Sequence, residues 1–273
     1  MDTLLSIAGL LLGCDPNQPI SILKRSVNSM TQPLDWRTDT VRFSFLGCTD
    51  EAVEALTWMN LTGVEPESVT SKKSLGTRNE EGPWGSGLLT VAAQSGRVDV
   101  IFTPVQPQTM PKEPPHLGAL LSIADQLRGC ILRLKLPRSA RLAIGAQISV
   151  LVEDSKTSLE LLNKLTPYVD FKPTFIDVCV QYNSVKKLKH GGAELNRLYK
   201  WTQAKIQFLQ IAVGPDGRQI GMDAGQSAQH ILQLELDFNT APHSSLPHAD
   251  AQRAIVIEMF DQLNLEGNPQ VTK

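Results

Sequence analysis

The chain has 273 residues, 41% of them hydrophobic and 20% charged, with 26 basic and 28 acidic side chains for a formal net charge of −2. This composition excludes a disordered, collagenous or low-complexity polypeptide. A chain of this size can bury a core that needs no metal or disulfide staple. Cys14, Cys48, Cys130 and Cys179 stand far apart with no CxxC pair. They frame no structural zinc site and read as free thiols of a reducing, cytoplasmic protein.

Residues 4–12 are apolar, but Asp2 precedes them and no Lys or Arg does. A signal peptide wants a positive start, and a membrane span wants about 20 apolar residues. The segment therefore reads as a short helix docked on the core, with Cys14 in a weak lipidation context. No other segment is a candidate span. Residues 41–46 alternate Val41, Phe43 and Phe45 against Arg42 and Ser44, which predicts a half-buried strand. Thr49 then caps a helix with Asp50 and Glu51 in its first turn and Val53, Leu56 and Met59 at helical spacing. Residues 62–87 are polar and end in Gly82-Pro83-Trp84-Gly85-Ser86-Gly87. They read as a long loop, a common place for function. Two apolar runs around Ser95-Gly96 predict a β-hairpin.

Pro104, Pro107, Pro111, Pro114 and Pro115 make residues 104–115 a stiff connector. It divides the chain into subdomains 1–103 and 116–273, with a single integrated domain as the alternative. Leu117, Leu120, Leu121 and Ala124 predict a helix ended by Gly129. Strands follow at 130–136 and 146–152. Ser155 caps a helix that Pro167 stops, and another strand spans 174–182. Residues 184–202 are basic and irregular or helical. A strand over 205–213 enters the turn Gly214-Pro215-Asp216-Gly217. The strand over 230–238 faces Leu232, Leu234, Leu236 and Phe238 inward. Pro247 starts a last helix with the stripe Val256, Met259, Phe260 and Leu263, and Gly267 ends it. Clean alternation needs one wet face. The fold class is α+β, a mainly antiparallel sheet with helices packed on one face. The sequence shows no convincing internal repeat.

The near-zero net charge hides segregation: −5 over residues 1–125, +8 over 126–205 and −5 over 206–273. The basic block carries Arg128, Arg133, Lys135, Arg138 and Arg141, then Lys186, Lys187, Lys189, Arg197, Lys200 and Lys205, with Tyr199 and Trp201 interleaved. Arg133 and Lys135 fall on the wet side of the expected 130–136 strand. Such a block can meet a phosphate backbone, the chain's own acidic segments, or an acidic protein face. A pI of about 6.2 favours a protein partner, self or other, over nucleic acid. Trp84 is either tucked onto the core or an exposed partner anchor.

Chemistry is sparsely signalled. Cys48 precedes a helix start, where a dipole favours thiolate. Glu80 and Glu81 flank the glycine-rich loop, and His116 is a candidate base. His190, His230, His243 and His248 have no metal-ligand spacing, and HExxH, GxGxxG, GxxxxGK[ST] and GxSxG are absent. No cofactor or metal is expected. The sequence reads as a non-enzymatic binding or assembly protein acting through segregated acidic and basic surfaces. The alternatives are a small-molecule enzyme or ligand-binding domain at a cleft near residues 62–87, and nucleic-acid binding through 126–205.

Overall fold

Period-two alternation of apolar residues builds one large sheet. The structure, a computed structural model, describes residues 33–109, 111–190, 192–207, 209–213, 219–223, 228–242 and 248–271. The expected N-terminal helix, Cys14, the 214–217 turn, His243 and Pro247 lie outside the described residues. In chain order the elements are β1 (Arg37–Leu46), α1 (Asp50–Ala55), α2 (Trp58–Thr62), β2 (Ser68–Lys72), β3 (Thr77–Trp84), β4 (Gly87–Gln94), β5 (Arg97–Pro104) and α3 (Leu120–Arg133). Then come β6 (Arg141–Val152), α4 (Ser155–Leu165), β7 (Cys179–Lys187), β8 (Glu194–Ile206), β9 (Leu209–Val213), β10 (Gln219–Asp223), β11 (Gln229–Thr240) and α5 (Ala249–Glu266).

Among the described residues nine strands form one sheet in the order β2-β3-β4-β5-β1-β6-β11-β8-β7, and β9 and β10 pair in a two-stranded hairpin. Every pairing in the large sheet is antiparallel. The register aligns one apolar row, Val91, Val100, Phe43, Ile144 and Phe238, across five strands. All five side chains are buried, so a slip of one residue anywhere would turn core side chains into water. The last helix meets this row directly. Its stripe Val256, Met259, Phe260 and Leu263 is fully buried, and Phe260 stacks on Phe43 with ring centroids 5.6 Å apart. Trp58 of α2 is buried beside β4 and donates its indole N–H to Leu89 O at 3.0 Å.

The topology contains a repeat. β1 and β6 pair at the middle of the sheet. From β1 the order runs outward through β5, β4, β3 and β2, and from β6 through β11, β8 and β7. Each half is a first strand, one or two short helices, a meander that returns to that strand, and a long helix, α3 or α5. The halves therefore join after α3. The 104–115 connector links β5 to α3 inside the first half, and the strands on its two sides share one sheet.

Several local expectations need correction. Residues 62–87 are not a loop: they hold β2 and β3, which pair with each other and with β4. No strand forms at 130–136, because α3 runs through Gly129 to Arg133. Cys130 and Ile131 continue the stripe set by Leu120, Ile123, Ala124 and Leu127, and all six are buried. Helical burial outweighs the modest cost of a mid-helix glycine. The strand placed at 174–182 is β7, starting at Cys179; Asp177 has φ 52° and breaks the run before it. Residues 184–202, read as irregular or helical, supply the end of β7 and most of β8. The first helix is split into α1 and α2. Thr49 caps α1 as expected, but Met59 is exposed while Trp58 and Leu61 are buried. Asp154, not Ser155, caps α4, accepting from Thr157 N at 2.7 Å. Among the described residues, no helix is long and apolar enough to cross a membrane.

Candidate functional site

The face of the sheet opposite the apolar row is polar. Its centre is a row formed by register: Arg42 of β1 lies beside Gly145 of β6, which lies beside Asp237 of β11. Glycine leaves no side chain between the two charges, and Arg42 Nη2 reaches Asp237 Oδ2 at 3.8 Å. A Cβ on Gly145 would sit 3.0 Å from Leu236 O, so the position is tight. The result is a groove of about 270 Å³ lined by Thr40, Arg42, Ile101, Gln147, Glu235 and Asp237 among others. One row further along, Lys200 Nζ meets Glu235 Oε2 at 3.2 Å. Ser44 donates to Asp99, which also takes a forked pair of hydrogen bonds from Arg97 at 2.7 and 3.1 Å. Opposite charges thus alternate across this face.

Asp39 stands at one end of it. The register of β1 against β6 shifts between Thr38 and Thr40, a bulge that places Asp39 on the polar side although it shares the parity of Val41, Phe43 and Phe45. Its carboxylate accepts from Ser149 Oγ at 2.8 Å, Gln233 Nε2 at 3.4 Å and Gln147 Nε2 at 3.5 Å. Burial raises its pKa; those hydrogen bonds and the nearby His116 oppose the rise. A carboxyl with a raised native pKa binds its proton more tightly when folded, so stability falls as pH climbs from the unfolded value through the native one. Asp39→Asn is therefore expected to raise the melting temperature at pH 7. The gap should close below the ordinary carboxylate range, near pH about 4. Thermal melts across pH check this; a variant less stable than wild type at pH 7 would refute it.

The expected catalytic residues do not converge. Cys48 Sγ lies 3.3 Å from Ser139 Oγ. Burial pushes its thiol pKa up, and that contact opposes the rise; the six-residue α1 that follows it is short for a strong dipole. Glu80 is buried, accepts from the Trp58 backbone N–H and is ion-paired with Arg78, whose Nε lies 3.1 Å from its carboxylate. Glu81, next along the strand, points to the other face and accepts from Thr90 Oγ1 at 3.1 Å. The acidic pair is therefore split by the pleat. His116 is exposed near the start of α3. Trp84 is half-buried and packs edge-on against Phe102, centroids 5.0 Å apart. Among the described residues, no group of three or more His, Cys, Asp or Glu is placed to hold a metal ion.

The basic block is dispersed, and three of its members are ion-paired within the chain. Arg128 pairs with Asp261 at 2.9 Å, Arg197 with Glu266 at 3.0 Å and Lys200 with Glu235. All three acids come from the acidic segment 206–273. Lys186 donates to Gln262 at 2.7 Å, and Arg141 to Asn239. Arg133 is at the end of α3, reaching Cys130 Sγ at 3.1 Å, not on a strand. Lys135 and Arg138 line a separate cleft of about 390 Å³ against α1, with Glu51 and Leu56. Lys187, Lys189 and Lys205 are exposed. Trp201 is a core residue, packed edge-on against Trp36 at 6.0 Å, so it offers no stacking surface.

Sequence reasoning missed Asp39, Arg42, Gly145, Glu235 and Asp237. The available signal was Asp39 itself, a carboxylate on the inward parity of an otherwise apolar strand. The partners of the others are set by register, which alternation alone does not specify. No protein-family model matches the chain, and no curated protein matches it significantly.

Proposed function

We propose that this is a non-enzymatic binding or assembly protein of the cytoplasm. The helices cover the apolar face of the sheet, and the polar face docks a protein partner. The carrying observation is the alternation of opposite charges on that face, with Arg42 facing Asp237 across Gly145 and Lys200 paired to Glu235. A mosaic of both signs complements another protein mosaic and repels a uniform polyanion. The internal pairing of Arg128, Arg197 and Lys200 and the burial of Trp201 count against nucleic acid. The scattering of Cys48, Glu80, Glu81 and His116 counts against a catalytic cleft.

Light scattering at low and high salt tests the reading. The expected result is a particle heavier than the 30.0 kDa chain at low salt that loses mass as salt screens the face, with Arg42→Glu weakening it. A single-chain mass at every salt concentration would overturn the reading. Anisotropy titrations with single- and double-stranded DNA and RNA are expected to show no saturable binding even at low salt.

A further inference from the structure

The nine-stranded sheet ends in β2 on one side and β7 on the other, and the two edges differ. β2 is five residues long, wholly exposed, and runs into Lys72 and Lys73. Short length and lysines are the usual protections of an edge. β7 is nine residues long and pairs only with β8 among the described strands. Its first seven residues, 179–185, contain no charge, no proline and no glycine. Every second N–H and C=O of such a strand points away from its neighbour, ready to template another strand. Exposed apolar side chains border this edge: Val185 at 57%, and Phe175 and Ile176 in the segment leading into the strand at 47% and 74%.

We infer that the β7 edge binds a second copy of this chain, antiparallel, with the two-fold axis at Asn183. The inference rests on the assembly reading above and names the partner. Antiparallel pairing of β7 with itself has one register that pairs all nine residues, Cys179 opposite Lys187 through Asn183 opposite Asn183. That register also settles the charges. Lys186 falls opposite Val180 and Lys187 opposite Cys179, so the lysines of the two copies lie at opposite ends. Two residues beyond the strand ends, the exposed Lys189 of each copy comes to the end of the pairing where the exposed Asp177 precedes the other copy's strand. An isologous pairing of this kind closes at two copies. It joins the two sheets into one and removes the unprotected edge.

The edge is held by backbone hydrogen bonds, so salt should leave a dimer where it dissolves contacts through the charged face. Asn183→Lys sets two lysines against each other on the axis. It is expected to weaken the high-salt dimer by at least about tenfold, and an equimolar mixture with Asn183→Asp should restore it. Because Asn183 is exposed, neither variant disturbs the core. Asn183→Cys in a Cys179→Ser background should oxidise to a covalent dimer, since directly opposed positions have Cβ atoms within about 5.5 Å. Gln181→Cys, opposed to Val185 instead, should not. Assembly that Asn183→Lys leaves unchanged, with no cross-link through position 183, would overturn the β7 edge and leave the assembly reading standing. A single-chain mass at high salt only would do the same. A single-chain mass at every salt would overturn both.

Discussion

Phe260→Ala is expected to lower the unfolding free energy by about 3–5 kcal/mol, the range for deleting a fully buried aromatic ring. Phe260 has no exposed surface and lies parallel to Phe43, 5° between planes, with Phe45 tilted against Phe43 at 5.0 Å. Phe43 sits in the central row of the sheet, flanked by Val100 and Ile144. The ring is therefore the contact that fastens α5 to the middle of the sheet, at the junction of the two halves. Rigid neighbours on β1 and β6 cannot collapse into the vacated space, which places the loss towards the upper end of the range. Urea denaturation monitored by circular dichroism measures it. Phe260→Leu, which keeps much of the volume, should lose less than half as much. A loss below about 1 kcal/mol for Phe260→Ala, the level typical of an average substitution, would mean that α5 is not packed as described.

Glu80→Ala is expected to cost about 3 kcal/mol, and Glu80→Gln about 1 kcal/mol. Glu80 is 6% exposed on the inner face of β3. Its carboxylate takes the Trp58 backbone N–H at the start of α2 and the Arg78 guanidinium. Arg78 in turn donates to Leu56 O at 3.0 Å and Val53 O at 3.3 Å, so this one carboxylate ties both short helices to the sheet. Alanine leaves a buried N–H and a half-buried cation without their acceptor, while glutamine keeps an acceptor for the N–H. The ordering of the two variants in chemical denaturation is the test. Equal, negligible effects would refute a structural role and return Glu80 to the list of candidate reactive groups.

Both predictions concern residues whose roles differ in how far the sequence exposed them. Phe260 belonged to a helical stripe that could be read directly, because burial imposes the 3.6-residue period on the chain itself. Glu80 sat in a stretch with no apolar periodicity, since β2 is exposed along its length and β3 carries Glu80 on its buried side. Strands that lack two apolar neighbours in alternation look like loops. The opposite error occurred at 130–136, where Leu132, Leu134 and Leu136 alternate yet α3 continues to Arg133. A short leucine-rich run satisfies both periods, and only packing against the core chooses between them. Gly129 did not act as a stop, since α3 runs four residues past it to Arg133.

The charged surface followed the same division. The sequence showed an acidic, basic, acidic partition along the chain, and that partition is real. Its meaning depended on which strands became neighbours. Because β8 pairs with β11, Lys200 meets Glu235; because α5 packs nearby, Arg197 meets Glu266 and Arg128 meets Asp261. Charges separated by dozens of residues meet in these three pairs, while Lys187, Lys189 and Lys205 of the same block stay exposed.

What the sequence determined by itself is what local periodicity encodes: the antiparallel character of the sheet, the inward faces of β1 and β11, the β4–β5 hairpin and the stripe of α5. These follow because each element must bury one face and wet the other. What only the tertiary structure decided is everything carried by pairing between distant elements: the strand order, the repeat about β1 and β6, the bulge that turns Asp39 outward, the Arg42–Gly145–Asp237 row and the place of β7 at one end of the described sheet. Pairing energy resides in contacts across large sequence separations, and no local pattern specifies which partner a strand will find. The ordinary composition and the net charge of −2 thus described a chain with an ordinary folded core while leaving its charges unassigned, and the register of one sheet assigned them.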